Sequence, residues 1–340
     1  MDLSYAQHLE DYHLSLAFAG RREGFYIDVG GGHPVADNVS CWFYLQGWRG
    51  LVVEPQADLA ALYAHVRPRD TVFAGLVGAQ SGEAEFHVVE RLHGFSTMHA
   101  DVAAASGAAY ETKRLPIKTL TDLARKYAAP KVDFLKIDVE GAEAEVLKGV
   151  DWSVLRPRVI LLEAVAPGTM APSHAEWEPL LLAQDYEFVL FEGLNRFYIA
   201  REEHDLLARF PREKAEWLVA PHLGHTNRAP FRDDHPDHAF ARDLTGCFLA
   251  SLPMLDRARL VDMLTARMSE NELAAQPDAA MKQAVIDRLF PASGEARAGL
   301  AALDAPTLRA FYERVVDSDA FRVMTGRLAM SWDGGQILDD

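Results

Sequence analysis

The amino-acid sequence predicts an α/β fold built on an open, mostly parallel sheet. Between Phe25 and about Ala200, short apolar strands alternate with segments of helix length. This alternation is typical of a parallel sheet covered by helices on both faces. Three consecutive glycines follow the first strand, and an acidic residue follows the second. The strand–glycine turn–helix–strand–acid unit from Phe25 to Pro55 is typical of the nucleotide-binding half of such a sheet.

The individual elements follow from apolar runs of the appropriate length. The predicted parallel strands are Phe25–Val29, Gly50–Val53, Thr71–Ala74, Phe134–Ile137 and Val159–Leu162. The predicted helices include Asn38–Gln46, Ala57–His65, Thr119–Tyr127 and Ala142–Lys148. Two later runs, Tyr186–Glu192 and Asn195–Ala200, are separated by Gly193-Leu194. They predict an antiparallel hairpin that closes the sheet.

The flanking regions predict three domains or segments. Residues 1–21 are expected to contain an amphipathic helix, over residues 3–20, and residues 22–202 to form the α/β domain. Residues 203–340 are expected to form an irregular linker followed by a helical C-terminal extension from about Met254 to Leu328. Within the α/β domain, residues 77–115 predict one strand, Ala84–Val89, in an insertion longer than a plain connection. Such insertions are often functional lids.

Composition and charge exclude several classes of protein. The 340 residues include 34 Lys and Arg against 50 Asp and Glu, a net charge of −16, which disfavours binding to duplex nucleic acid. Cys41 and Cys247 lie far apart, without metal-ligand spacing, so reduced thiols are expected. The N-terminus carries acids and histidines where a signal peptide needs a basic start, and no apolar run approaches the length of a membrane span. We therefore expect a soluble, cytoplasmic protein without a membrane span.

The first candidate binding site is the D-x-G-x-G sequence that ends the first strand. Gly30, Gly31 and Gly32 allow the backbone to approach a ligand, while Asp28 places a carboxylate beside it. A carboxylate suits an ammonium or sulfonium group, whereas a pyrophosphate prefers backbone amides without an acid. Glu54, at the end of the next strand, stands where an acid binds the two hydroxyls of a ribose.

The second candidate site is the sequence VDFLKIDVEGAE. An apolar strand leads into Asp138, then Glu140 and a glycine, then a helix. Because ligands lie over the carboxyl ends of the strands, Asp138 and Glu140 are expected to face the same crevice as Asp28. Three carboxylates there are costly unless a cation, a metal or polar substrate groups meet them. Nothing in the spacing requires a metal, and no metal is assigned from the sequence.

Six segments, in this order, resemble the FkbM family of S-adenosylmethionine-dependent methyltransferases: IDVGGGHP, GWRGLVVEP, GFSTM, LPIKTLTDL, VDFLKIDVEGAEAEVLKG and FEGLNRFYIA. The resemblance covers about residues 22–202. It implies a Rossmann-like class I methyltransferase fold and O-methylation, with S-adenosylmethionine as the donor. By matching position, Asp28, Gly30 and Gly32 would line the methionine end of the donor, Glu54 would bind its ribose, and Asp138 would face the methionine or the transfer site.

The resemblance also bears on the remaining donor residues and on the acceptor. Gly31 and Leu76 are included among the donor-binding residues, although relatives commonly have Ala-Asn or Ala-His where this chain has Gly31-Gly32. Many relatives methylate sugars of glycans, and others methylate hydroxyls of natural products. We therefore expect a hydroxyl of a sugar or glycan as the acceptor, or alternatively a secondary metabolite.

Methyl transfer to a hydroxyl needs positioning and a base that removes the proton. His33 follows the donor turn and is the first candidate base, although it could equally shape the loop beside Pro34. Asp138 and Glu140 are the other candidates. Lesser candidates for substrate contact are Ser96, Thr97, Glu163, Asn195 and Arg196, and the histidines at 222, 225, 235 and 238 are interpreted as a solvated loop.

Two other classes of function remain as alternatives. The chain could be a non-catalytic donor-binding or scaffold protein, whose helical C-terminal region forms a homodimer or binds a glycosyltransferase. A nicotinamide-dependent oxidoreductase is disfavoured, because G-x-G-x-x-G is absent and an acid stands at the turn. Retention of Asp28, Glu54 and Asp138 favours turnover, since a decayed site need not keep them.

Overall fold

The computed structural model describes residues 1, 3–89, 93–127, 131–166 and 171–223, together with residues 233, 234, 238, 239 and 319. Backbone proximity divides the chain into two compact units, residues 1–225 with 319–340 and residues 226–318. Everything below concerns the first unit. The helices predicted between residues 254 and 328, apart from residue 319, and the histidines at 225 and 235 lie outside the described residues.

The described residues form an α/β fold. Its strands are β1 Phe25–Val29, β2 Arg49–Val53, β3 Thr71–Phe73, β4 Leu76–Val77, β5 Gly82–Val89, β6 Tyr110–Lys118, β7 Phe134–Ile137, β8 Val159–Glu163, β9 Tyr186–Phe191 and β10 Asn195–Ala200. Its helices are α1 Glu10–Ala17, α2 Val39–Leu45, α3 Ala57–Val66, α4 Ala100–Ala105, α5 Leu120–Lys126, α6 Glu143–Lys148, α7 Glu178–Leu182 and α8 His204–Arg209.

A largely parallel sheet forms the centre of the fold, which confirms the predicted Rossmann-like class. Among the described residues its strand order is β3-β2-β1-β7-β8-β10-β9. The first five strands run parallel, and β10 and β9 add an antiparallel hairpin at one edge. In register, Val29 lies opposite both Val53 and Ile137, so β1, β2 and β7 end together. The residues that follow these strands therefore meet at one edge of the sheet.

Each face of the sheet is covered by its own apolar core. Ile27, Leu135 and Ile160 point to the face packed by α5, α6 and α7. Their neighbours Tyr26 and Phe134 point to the opposite face, with residues of α1, α2 and α8. Burial on both faces explains why these strands are apolar at nearly every position rather than at alternate ones.

The N-terminal segment contains less helix than the sequence predicts. The predicted helix over residues 3–20 is limited to α1, because Leu9 adopts a left-handed φ of 65° directly before it. The residues preceding Leu9 are held differently. Ser4 pairs with His222 as a β-bridge, and the buried Asp11 carboxylate accepts hydrogen bonds from the Ser4 hydroxyl and the Tyr5 amide.

The insertion after β3 forms a second, three-stranded sheet in the order β4-β6-β5. The sequence predicts most of β5 but misses β6. The two strands pair antiparallel along the whole length of β5. The exposed positions of β6 carry polar residues, and the strand includes Pro116, so it lacks the apolar run on which strand prediction depends. No helix in the described part of the chain has the length and apolar character that crossing a membrane requires.

Candidate functional site

The glycine turn, Gly30–Gly32, links the ends of β1, β2 and β7. The amides of Gly30 and Gly31 both donate to the Val53 carbonyl at 3.0 Å. Gly30 has a φ of +73°, and a Cβ atom there would lie 1.7 Å from the Asp138 carbonyl oxygen. Only glycine fits this conformation and this approach. The turn therefore packs directly against the backbone of the loop that follows β7.

The other two glycines of the turn have different surroundings. The Gly31 carbonyl accepts hydrogen bonds from Asn38 Nδ2 and the Tyr63 hydroxyl, both at 2.8 Å. Gly32 has a φ of +56°, and nothing lies within 4 Å of the position its Cβ would take. The turn is therefore fixed on its inner side and faces open space at Gly32.

Asp28 lies fully buried at the end of β1. Its Oδ2 atom accepts a hydrogen bond of 2.5 Å from the Ser40 hydroxyl. Its Oδ1 atom lies 3.6 Å from Lys136 Nζ and has no hydrogen-bond partner among the described residues. One carboxylate oxygen beside the glycine turn thus retains unused acceptor capacity.

Lys136 is a residue of the candidate site to which the sequence analysis gave no role. It lies in β7, donates 2.6 Å to the Gly30 carbonyl and forms an ion pair of 3.3 Å with Asp138. Burial alone would lower the pKa of this ammonium, but the carboxylates of Asp138 and Asp28 raise it above its ordinary value. The available signal was a single charge inside the apolar strand FLKI. Such a charge is retained in a core when it is paired.

Glu54 lies directly after β2 and is 2% exposed. Its Oε2 atom accepts 2.7 Å from the Gly32 amide, and its Oε1 atom accepts 2.8 Å from the Gln56 amide. Burial raises the pKa of Glu54 to about 7 despite these two hydrogen bonds. Each oxygen keeps a second lone pair, so the carboxylate can still accept from two hydroxyls.

Three carboxylates form what we call the acidic cluster: Asp138, Glu140 and Glu163. One carboxylate oxygen from each lies within 4.8 Å of the others. Asp138 and Glu140 follow β7, and Glu163 is the last residue of β8. The structure thus brings together the two predicted acids and a third, Glu163, which the sequence marked only as a lesser candidate.

The acidic cluster carries more negative charge than nearby residues neutralise. Burial, followed by the charges of Asp138 and Glu143, raises the pKa of Glu140 to about 9. Burial, followed by Asp138 and Glu140, raises the pKa of Glu163 to about 11. Lys136 opposes both shifts without cancelling them. At neutral pH, without a cation, both glutamates are therefore protonated.

The loop that carries the cluster is held by its neighbours. Glu140 adopts a left-handed φ of +54°, and its carbonyl accepts 2.9 Å from the Thr97 hydroxyl. The Glu143 carboxylate accepts from the amides of Val139 and Gly141, at 3.2 Å each. Glu143 thus serves the loop backbone at the start of α6. The Thr97 hydrogen bond thus connects the insertion to this loop.

His33 follows the glycine turn, but its hydrogen bonds serve the backbone. Its Nδ1 atom accepts from the amides of Val35 and Ala36 at 3.2 and 3.0 Å. A neutral imidazole that accepts at Nδ1 carries its proton on Nε2. Taking a second proton would cost both hydrogen bonds. This geometry favours the loop-shaping alternative for His33 over the base.

The remaining candidates lie in more ordinary environments. Leu76 is buried in β4, where its donor contact remains a prediction. Asn195 donates to the carboxylates of Glu10 and Glu192. Arg196 pairs with Glu178 at 2.8 Å, so both hairpin residues support the packing of their own region. Ser96 accepts from a neighbouring backbone amide.

Among the histidines predicted to lie in a solvated loop, His222 is described by the structure and is buried. His222 is 9% exposed, and its Nε2 atom lies 2.7 Å from the Ala6 carbonyl oxygen. The solvated interpretation is wrong for this residue, because it packs against the N-terminal segment.

A cavity of about 710 Å³ lies away from these residues. It is lined by residues that include Lys131, Val132, Arg156 and Arg158, and so faces the amino ends of β7 and β8. Ligands of open α/β sheets bind at the carboxyl ends, where the glycine turn and the acidic cluster lie. The carboxyl edge is therefore the candidate site.

Comparisons with known proteins find a match to one family model and partial similarities to single proteins. The family model of the methyltransferase FkbM domain matches residues 28–188. Methyltransferase sdnD of Sordaria araneosa is 39% identical over a stretch that covers 16% of this chain and 25% of the relative. The chain thus matches about a quarter of that curated relative's length. The crystal structure of a putative DNA modification methyltransferase from an E. coli prophage aligns with 53% of this chain and 47% of its own, at 12% identity and a TM-score of 0.31.

Proposed function

We propose that this chain, whose residues 28–188 form a methyltransferase domain of the FkbM family, moves a methyl group from S-adenosylmethionine to a hydroxyl of a sugar or glycan. One observation carries the proposal. Asp28, Glu54 and Asp138 lie at the carboxyl ends of three adjacent parallel strands, around a glycine turn. This is the position at which open α/β sheets bind nucleotide-containing ligands.

The residues of the turn fit an adenosyl sulfonium donor better than a dinucleotide. Asp28 keeps a carboxylate oxygen that has no hydrogen-bond partner among the described residues, and this oxygen suits a positively charged group and opposes a diphosphate. Glu54 keeps two lone pairs for the hydroxyls of a ribose. Gly32 faces open space, where a bound ligand meets no side chain of the turn.

Bound there, the donor supplies an activated methyl group on a sulfonium. The protein has to align an acceptor oxygen about 3 Å from that methyl carbon and to accept the hydroxyl proton. Glu140 and Glu163 are protonated at neutral pH without a cation, and a protonated carboxyl cannot act as a base. Asp138 has Lys136 as its ion-pair partner. We therefore favour Asp138 over His33 and Glu140 as the proton acceptor.

The acceptor is proposed to be a polyhydroxylated molecule. Ionised and protonated carboxyl groups both accept hydrogen bonds from hydroxyls, and the acidic cluster offers three carboxyl groups beside the proposed transfer position. A hydroxyl of a secondary metabolite is the alternative acceptor. A homodimer, or a glycosyltransferase partner bound through residues 203–340, is a further proposal that sizing of the full chain and of a truncated chain would test.

Calorimetric titration tests the donor. S-adenosylmethionine is expected to bind saturably, and Glu54→Gln to weaken binding at least tenfold because the ribose hydroxyls lose a charged acceptor. Asp58→Asn, on the exposed side of α3, is the matched control and leaves binding unchanged. Saturable NAD binding without S-adenosylmethionine binding would refute the proposal.

A screen of acceptors then tests the substrate class. Donor consumption would be measured with nucleotide sugars, free glycans and lipid-linked sugars. Consumption with at least one of them is expected. Consumption only with a peptide or a polyketide would replace the sugar by another acceptor while leaving the methyltransferase intact.

A further inference from the structure

We propose that the acidic cluster, Asp138, Glu140 and Glu163, binds a divalent cation such as Mg²⁺ or Mn²⁺. Two of the carboxylates follow β7 and the third ends the adjacent parallel strand β8, and the ends of both strands are fixed by the register of the sheet. The site would therefore rest largely on rigid elements. This is what a cation with a strict coordination geometry needs.

The spacing of the ligand atoms suits such an ion. One oxygen from each of the three residues lies within 4.8 Å of the others. Mg²⁺ binds oxygen ligands at about 2.0–2.1 Å. An ion between the three oxygens needs only small side-chain movements to contact them all. Water or acceptor oxygens would fill the remaining coordination positions.

A second observation points to a ligand independently of the clustering. Glu163 is 9% exposed, and its Oε2 atom is buried without a hydrogen-bond partner among the described residues. A buried carboxylate oxygen without a donor is costly to maintain. Contact with a cation would remove that cost.

The neighbouring groups do not satisfy this requirement. Lys136 already donates to the Gly30 carbonyl and pairs with Asp28 and Asp138. The backbone amides of the loop donate to Glu143 instead of to the cluster. The protein thus leaves a concentration of carboxylate oxygens beside the donor turn for a cation to bind.

The position of the ion also implies a role, and this part rests on the proposed function. The cluster and the glycine turn share the Asp138 loop, since Gly30 packs against the Asp138 carbonyl. An ion there could bind one or two hydroxyl oxygens of the acceptor, orient them toward the methyl group and make the reacting hydroxyl more acidic. The cation would thus select acceptors with neighbouring hydroxyls.

Manganese binding tests the site directly, without turnover. The full chain, freed of metal by chelation, would be titrated with Mn²⁺, and free Mn²⁺ followed by its paramagnetic resonance signal. One saturable site is expected. Glu163→Gln and Glu140→Gln, which keep the side-chain shape, are each expected to weaken binding at least tenfold. Glu145→Gln, on the exposed side of α6, is the matched control and is expected to bind as the parent does.

Two results would overturn the inference: no saturable Mn²⁺ binding by the parent chain, or equal binding by the parent and both cluster variants. Calorimetric titration of the same samples with S-adenosylmethionine separates this outcome from failure of the proposed function. Donor binding without Mn²⁺ binding removes the cation site and leaves the methyltransferase proposal standing. Mn²⁺ binding without donor binding leaves the cation site standing and removes the methyltransferase proposal.

Discussion

The two halves of the carboxyl edge differ in how their buried acids are satisfied. In the half that is proposed to bind the donor, called the donor half here, the carboxylates of Asp28 and Glu54 are met by the Ser40 hydroxyl, the Lys136 ammonium and two backbone amides. In the acidic cluster, the side chains of Glu140 and Glu163 face mainly other carboxylates.

This difference indicates that the fold satisfies the buried acids of one half more completely than those of the other. The donor half is largely assembled by the fold itself, because its strands and amides hold every element in place. The acidic cluster is complete only when a proton, a cation or an acceptor supplies positive charge or donors. Variants that alter the charge of either half should therefore have different effects on stability and binding.

Removing the ammonium that both halves share should have the largest effect. Lys136→Met is expected to lower the free energy of unfolding by about 3–5 kcal/mol, because it leaves Asp28 buried without its cation. Chemical denaturation measures the loss. Lys148→Met, at the exposed end of α6, is the control and should change stability by less than about 0.5 kcal/mol. Equal stability of the two variants would show that Lys136 is not the counter-ion of the donor half.

The glycine turn offers a matched pair of substitutions. Gly30→Ala is expected to cost about 2–4 kcal/mol and to abolish donor binding, because its Cβ meets the Asp138 carbonyl in a left-handed conformation. Gly32→Ala also places alanine in a left-handed conformation, but its Cβ contacts no other atom. It should lower the free energy of unfolding by about 1 kcal/mol. Thermal unfolding and calorimetric titration measure both. A larger loss for Gly32→Ala would contradict the described turn.

The acidic cluster should make stability fall as pH rises. The unfolded chain releases the Glu140 proton near the ordinary value of 4.5, whereas the folded chain holds it until about pH 9. Between these values the unfolded state binds fewer protons, so the free energy of unfolding decreases with pH, by up to about 1.4 kcal/mol per unit. Glu163 acts in the same direction, to higher pH.

Unfolding at pH 6.5 and 8.5 in a chelating buffer tests this slope. The variant Glu163→Gln should be more stable than the parent at pH 8.5, by about 2–3 kcal/mol more than at pH 6.5. Other buried acids titrate in both proteins, so the difference between the proteins isolates the cluster. If the free energy of unfolding changes with pH in the same way for both proteins, the carboxyl groups of the cluster do not destabilise the fold when they ionise.

His33 should have the smallest effect. His33→Ala is expected to cost about 1 kcal/mol, through the loss of an acceptor for two backbone amides. His33→Asn offers a side-chain oxygen to the same amides and should recover stability and most of the transfer rate. A transfer rate reduced more than about a hundredfold in both variants, with donor binding retained, would identify His33 as the base.

The parallel core could be predicted almost residue by residue. The first strand, Phe25–Val29, and the hairpin strand Asn195–Ala200 are found at the predicted bounds. Both are apolar runs between clear breaks, and burial on both faces makes such runs continuous. The predicted helix over residues 3–20 was wrong over much of its length because a tertiary contact, the bridge between Ser4 and His222, competes with local propensity.

The acids of the site could be predicted only as strand-end residues. Asp28, Glu54 and Asp138 each end an apolar run, and parallel pairing brings them together. The sequence contains no local signal that Glu163 lies beside Glu140, because that proximity depends on which strand lies next to β7. Lys136 was missed for a related reason: its partners lie 106 and 108 positions away along the chain.

The backbone at Glu140 has a consequence for protein engineering. Its left-handed φ of +54° favours glycine or asparagine, and its carboxyl lies among other acids, so both backbone and charge oppose glutamate there. Replacing it by glycine would relieve both costs. A directed-evolution screen that selects thermal tolerance alone should therefore enrich such replacements while discarding a ligand of the proposed cation site. Stabilising this protein without losing the proposed activity requires a second selection for methyl transfer.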